Sequence, residues 1–184
     1  MGRLTRKWKV AAVVCGVLAA INAACGGTSI ATGPGNPAGC TVTLSGGVSG
    51  EYNCTVGAAL AYNHANGTIG FGLSVNPTTN GQPPSTVVGV AIPGAGWSTG
   101  TYAQTISGAT GGVEVQSALE FWQATVGGTA DQGSWSLHLS NAGTAVTNGS
   151  GDKVYTGSHG TFDATAPAIA VSGATGTVTV HAAW

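Results

Sequence analysis

The chain has 184 residues, 32 of them glycine, with 42% apolar and 6% charged residues. That apolar content argues against a disordered chain, and the glycine content with few charged helix formers argues against helices. Beyond the first nine residues Lys153 is the one basic residue against six acidic ones, a net charge of −5 with histidine neutral, which speaks against nucleic acid or phosphate as a partner because both need several Lys or Arg contacts.

Residues 1–24 have the three-part layout of a signal peptide: a basic stretch from Met1 to Lys9, an apolar run from Val10 to Ile21, then Ala23 and Ala24 before Cys25. The apolar run is too short to span a membrane comfortably. Cys25 behind two alanines resembles the lipobox of bacterial lipoproteins, where the cysteine thiol is diacylated and the chain is cut just before it. The lipobox has an aliphatic residue three positions upstream, where this chain has Asn22. The resemblance implies a membrane partner, reached through a lipid anchor on Cys25, and a cell-envelope address at the outer membrane. Plain secretion and an uncleaved anchor are the alternatives. Residues 25–39, rich in Gly, Pro, Ser and Thr, read as a flexible tether with little to bury.

From Cys40 to Trp184 short runs alternate apolar and polar residues between Gly-rich breaks, the pattern of strands with one buried face. Val42 and Leu44 share one face of the first run, and Tyr52, Cys54 and Val56 one face of the second. Ile69, Phe71, Leu73 and Val75 follow, and then 85–92, STVVGVAI, reads as a strand covered on both sides. Weaker runs lie at GTYAQTIS and GTFDATAPAI. Trp135, Leu137 and Leu139 mark another run, and Val178, Val180, Ala182 and Trp184 the last. The expectation is an all-β domain over 40–184: a single β-sandwich, jelly-roll or immunoglobulin-like, of eight or nine antiparallel strands.

The segment 113–126 fits two patterns. A strand would turn Val113, Val115, Leu119 and Phe121 inward, Trp122 outward, and place Glu114 and Glu120 on one face. A helix would align Val115, Leu119, Trp122 and Val126. The Gly-Gly breaks at both ends and the neighbouring strands favour the strand.

Cys40 and Cys54 would face each other across a hairpin centred on Gly47. At a non-hydrogen-bonded position their Cα atoms would lie about 4.5 Å apart, within reach of a disulfide, and an exported chain meets oxidising conditions.

The segments CTVTLSGGVSGEYNCTV, 40–56, and HGTFDATAPAIAVSGATGTVTVHAAW, 159–184, resemble a family of paralogous, uncharacterised predicted lipoproteins of Gram-negative bacteria. Its members carry a lipobox, a two-cysteine hairpin and a final Gly-Thr-Val-Thr-Val strand ending on an aromatic. The likeness covers about a quarter of the chain. It implies an envelope lipoprotein with a β-rich domain and no particular activity.

Neither a catalytic site nor a cofactor can be read from the sequence. His64, His138, His159 and His181 include no pair at zinc-ligand spacing, so no metal site is expected. No Gly-x-Ser-x-Gly elbow marks a nucleophile. Glu51, Asp131, Asp152 and Asp163 can be paired only by a fold, and Asp152 in NGSGDK suits a turn. Trp97 and Tyr102 at Gly-rich edges, and Trp122 if it points outward, are the candidate ligand-binding residues, since exposed aromatics stack on sugars or anchor proteins. The expected function is a noncatalytic envelope module, structural or binding a glycan or an envelope protein. The alternatives are an outer-membrane β-barrel, suggested by the terminal aromatic strand, and a secreted polysaccharide-acting enzyme.

Overall fold

The computed structural model describes residues 39–76, 84–127 and 132–184; the expected signal peptide (1–24), Cys25, the expected tether up to residue 38 and Asp131 lie outside the described residues. Among the described residues, alternation and glycine punctuation produce strands, with a short 3-10 turn at Ala170–Ser172. Seven strands come from the first two thirds of the chain: β1 (Thr41–Gly46), β2 (Gly50–Asn53), β3 (Val56–Asn63), β4 (Thr68–Val75), β5 (Ser85–Pro93), β6 (Gly100–Ala103) and β7 (Thr110–Ser117). Six follow: β8 (Glu120–Val126), β9 (Ser134–Asn141), β10 (Thr144–Thr147), β11 (Lys153–Thr156), β12 (His159–Pro167) and β13 (Thr177–Ala183).

They form two antiparallel sheets, one of six strands in the order β2-β1-β13-β12-β9-β6 and one of seven in the order β10-β11-β3-β4-β5-β7-β8. The sheets pack face to face as a sandwich and do not close into a barrel. Their apolar side chains point at each other: Val42, Leu44, Leu137, Phe162, Val178 and Val180 from one sheet meet Leu60, Phe71, Val88, Val113 and Trp122 from the other, all 3% exposed or less. A lipid-embedded barrel needs the reverse, an apolar outside, so the barrel alternative has no basis in this fold.

Strand count exceeds the expectation because four strands leave weak signatures. In VGAALAYN (β3) small residues blur the alternation. All four residues of β10 are exposed, and β11 buries none fully, so neither has a buried face to alternate. The fourth is β8: the segment 113–126 is a hairpin rather than one strand, with Ala118 and Leu119 at its tip and Val115 opposite Trp122. Inserting a turn reverses the phase. Leu119, expected inward, is 80% exposed, and Trp122, expected outward, is 1% exposed. Glu114 and Glu120 likewise fall on opposite faces, since Glu114 pairs with Gln123, three residues along β8 from Glu120.

The four apolar residues of β4 are buried as a set. In β5 only one face is fully covered: Val88, Val90 and Ile92 are buried while Val87 and Ala91 are half-exposed. Cys40 and Cys54 are joined, with Cα atoms 5.4 Å apart, and the β1–β2 register is centred on Gly47 as expected. The pair sits at a hydrogen-bonded position, Cys54 N–H donating to the Cys40 carbonyl at 3.0 Å, and the wider spacing is the one such positions have.

Candidate functional site

The three candidate aromatic residues, Trp97, Trp122 and Tyr102, are taken up by packing and turn contacts. Trp97 is 7% exposed. Its indole N–H is shared between the carbonyls of Ala61 (3.0 Å) and Gly70 (3.2 Å), and its backbone N–H donates to the Tyr155 hydroxyl. The flanking Gly94 and Gly96 suggest an exposed loop, yet the connection from β5 to β6 buries the ring in the core. Trp122 donates its indole N–H to the Thr175 carbonyl at 3.2 Å and lies so close to Gly47 that a Cβ there would fall 2.9 Å from the indole nitrogen. Both tryptophans therefore fill space between elements, and neither ring face is free to stack on a sugar. Tyr102 is half-buried, edge-on to Trp97 at 4.7 Å, with its hydroxyl donating to the Ser98 carbonyl and accepting from the Ser98 N–H. It fastens a turn.

The polar groups gather instead on the outer face of the six-stranded sheet. Because period-two strands send alternate residues to opposite faces, the polar halves of β1, β13, β12 and β9 line up in cross-strand rows. One row runs Glu51, Thr43, His181, Asp163, Ser136; a second runs Thr41, Ala183, Thr161, His138, Thr101; a third runs Ser45, Thr179, Thr165, Ser134. His181 Nδ1 and Asp163 Oδ1 are 2.6 Å apart, with about half of each side chain exposed. His138 Nδ1 lies 3.1 Å from the Thr101 hydroxyl. Between β9, β12 and β13 this face carries a shallow open groove of 220 Å³, walled by Ser134, Ser136, Asp163, Thr165 and Thr179.

The rows do not make a catalytic set. Asp163 stands between His181 and Ser136, so the imidazole that it orients is turned away from the serine that would need a base. Glu51 and Asp163 are separated by three strand spacings, roughly 14 Å, beyond the 5 to 10 Å of paired carboxylates in glycoside hydrolysis. Backbone N–H groups of the inner strands β1, β13, β12 and β9 are used in the ladders and so are not free to serve as oxyanion donors on this face. Among the described residues no group of three or more His, Cys, Asp and Glu side chains is placed to hold a metal, and β12 separates His138 from His181.

No family model, curated protein or solved structure matches the chain.

Two other acids are held by the fold. Asp152 accepts from the His64 backbone N–H at 2.9 Å and from the Asn148 amide at 3.2 Å, bonds that hold its carboxyl below the usual range. It closes the β10–β11 turn, as its setting in NGSGDK suggests. Glu114, between Val87 and Gln123 on the outer face of the seven-stranded sheet, has one carboxylate oxygen buried without a hydrogen-bond partner, and burial pushes its pKa up. The sequence identified the hydroxyl-rich faces only as solvated. Their union into one surface depends on strand order, above all on β13 lying between β1 and β12, which no local signal encodes.

Proposed function

We propose that the protein is a noncatalytic binding module of the cell envelope, tethered through Cys25, which holds a neutral, hydroxyl-bearing ligand such as a glycan on the outer face of its six-stranded sheet. The observation that carries this reading is the groove between β9, β12 and β13, where Ser134, Ser136, Asp163, Thr165 and Thr179 converge. These side chains offer donors and acceptors in a near-planar array without net positive charge, which suits sugar hydroxyls and not phosphates. At 220 Å³ the groove is smaller than the roughly 300–1,000 Å³ of enclosed small-molecule sites, which fits a projecting part of a larger chain. The Cys40–Cys54 disulfide supports export to an oxidising compartment.

A glycan array probed with the purified protein tests this. Binding is expected to survive moderate salt, because few charges are involved. Thr165→Arg and Ser136→Ala are expected to weaken it by more than about tenfold, roughly 1.4 kcal/mol, without lowering the melting temperature. Val154→Thr on the opposite sheet leaves it unchanged. Equal binding by the groove variants, or no glycan binding at all, removes the reading.

A further inference from the structure

Open sheet edges invite another strand, and folded proteins ordinarily blunt them. In this sandwich β8 is capped by the chain between β12 and β13: the Ile169 N–H donates to the Phe121 carbonyl, the Phe121 N–H donates to the Ser172 hydroxyl, and Ala168 bridges Trp122. The edge strand β2 carries the charge of Glu51. At the other end of the seven-stranded sheet, β10 (Thr144–Thr147, TAVT) has no charge and no proline, and all four of its residues are exposed.

The hairpin register fixes which backbone groups face outward. Asn148 N–H donates to the Asp152 carbonyl, so the hydrogen-bonded pairs of this hairpin fall at Val146–Val154 and Thr144–Thr156, and the amide and carbonyl groups of Ala145 and Thr147 turn to the open edge. Val146 and Val154, paired across the hairpin, are 60% and 52% exposed and lie on the outer face, in line with Ala61 and Gly70.

We infer that this edge pairs with the same edge of a second copy of the chain, antiparallel, about a twofold axis at Val146. In that register both outward-facing residues of the strand find partners. Ala145 of each copy then opposes Thr147 of the other, and their outward N–H and C=O groups exchange hydrogen bonds on both sides of the axis. Val146 meets Val146 of the second copy at a non-hydrogen-bonded position, flanked by the two Val154 side chains, so the exposed valines form one continuous apolar row. No like charges are directly opposed, since the row that holds Lys153 runs through Thr147 to Ala145 and Tyr155 of the second copy, and Lys153 itself sits over the Tyr62 ring. A joint of two four-residue strands buries much less than the roughly 1,200–2,000 Å² of a stable interface, and the dimer is therefore weak and concentration-dependent.

Disulfide trapping reads such a contact directly, because directly opposed residues have Cβ atoms about 4.5–5.5 Å apart. In the full chain, Val146→Cys is expected to form an intermolecular disulfide in a thiol–disulfide buffer at least about tenfold faster than Val154→Cys or Leu119→Cys. Leu119 is the control for exposure alone, being 80% exposed. Adding Ala145→Pro, which removes an outward N–H and leaves the bonds to β11 intact, is expected to abolish the preference, with an unchanged melting temperature verifying the fold. Cross-linking of Val146→Cys at the rate of Leu119→Cys, or a preference that survives Ala145→Pro in the folded protein, overturns the inference.

Discussion

Trp184, the residue after the last strand, lies stacked on Phe71 of the opposite sheet, their ring centroids 4.9 Å apart and their planes within 25°. Its indole N–H donates to the Ser158 hydroxyl at 3.3 Å, and its backbone exchanges both hydrogen bonds with Gly160. Phe71 in turn stacks on Phe162, and Phe162 on Trp135, so an aromatic chain joins the two sheets.

Trp184→Ala is expected to cost about 2 kcal/mol, less than the full penalty for a buried tryptophan because the side chain is only half-buried. Trp184→Phe, which keeps the stack and loses the bond to Ser158, is expected to cost about 1 kcal/mol. Urea unfolding followed by tryptophan fluorescence measures both. Equal losses would mean that the bond to Ser158 outweighs the stacking.

Trp97→Ala and Trp122→Ala are expected to act on stability, each lowering it by roughly 3 to 5 kcal/mol as truncations of buried aromatics. Each also strands backbone carbonyls that the indole N–H now satisfies. Thermal unfolding that is unchanged in either variant would contradict the burial described above.

Replacing both Cys40 and Cys54 by Ala opens the loop that they close, 14 residues apart in sequence. The chain-entropy model puts the loss at roughly 3 kcal/mol. Denaturant midpoints of the oxidised protein and the double variant give the value, and peptide mapping without reductant should recover the two cysteines in one linked fragment.

Ala118 has a φ of 53° at the tip of the β7–β8 hairpin, the left-handed region that disfavours any residue with a Cβ. Leu119 beside it has no positive φ, the pattern of a type II′ turn, whose first position favours glycine. Ala118→Gly is expected to raise stability by about 1 kcal/mol. A lower melting temperature would show that the alanine is not strained.

Glu114 gives a pH dependence of known sign. Burial raises its pKa above the ordinary 4.5 in the folded state, so the folded protein holds this proton more tightly than the unfolded chain does. The resulting stability is complete below pH 4.5 and is lost as the pH climbs through the raised folded value. Glu114→Gln keeps the polar group uncharged at every pH. It should therefore match the wild type in acid, exceed it at neutral pH and abolish that part of the slope.

The strands with one apolar face were legible because burial imposes alternation on them, as in β4 and β13. The disulfide was legible because its two cysteines are equidistant from the hairpin centre. The misread positions share a cause: phase carries no information across an unseen turn, and Ser117-Ala118-Leu119-Glu120 contains neither glycine nor proline to announce one. Trp97 was misread for the opposite reason, since the glycines around it mark a real loop that nevertheless folds inward. The hydroxyl-rich surface was visible only in fragments, because its rows join residues up to 142 positions apart, as in Thr41 and Ala183.

The pairing of β1 with β13 orders events in time. Thr41 lies opposite Ala183, so the six-stranded sheet lacks an interior strand until nearly the whole described chain has been made. That sheet cannot be completed progressively during synthesis, since β12 and β13 come last, and closure over so long a separation is slow. Until β13 arrives, β1 and β12 lack the neighbour that joins them into one sheet.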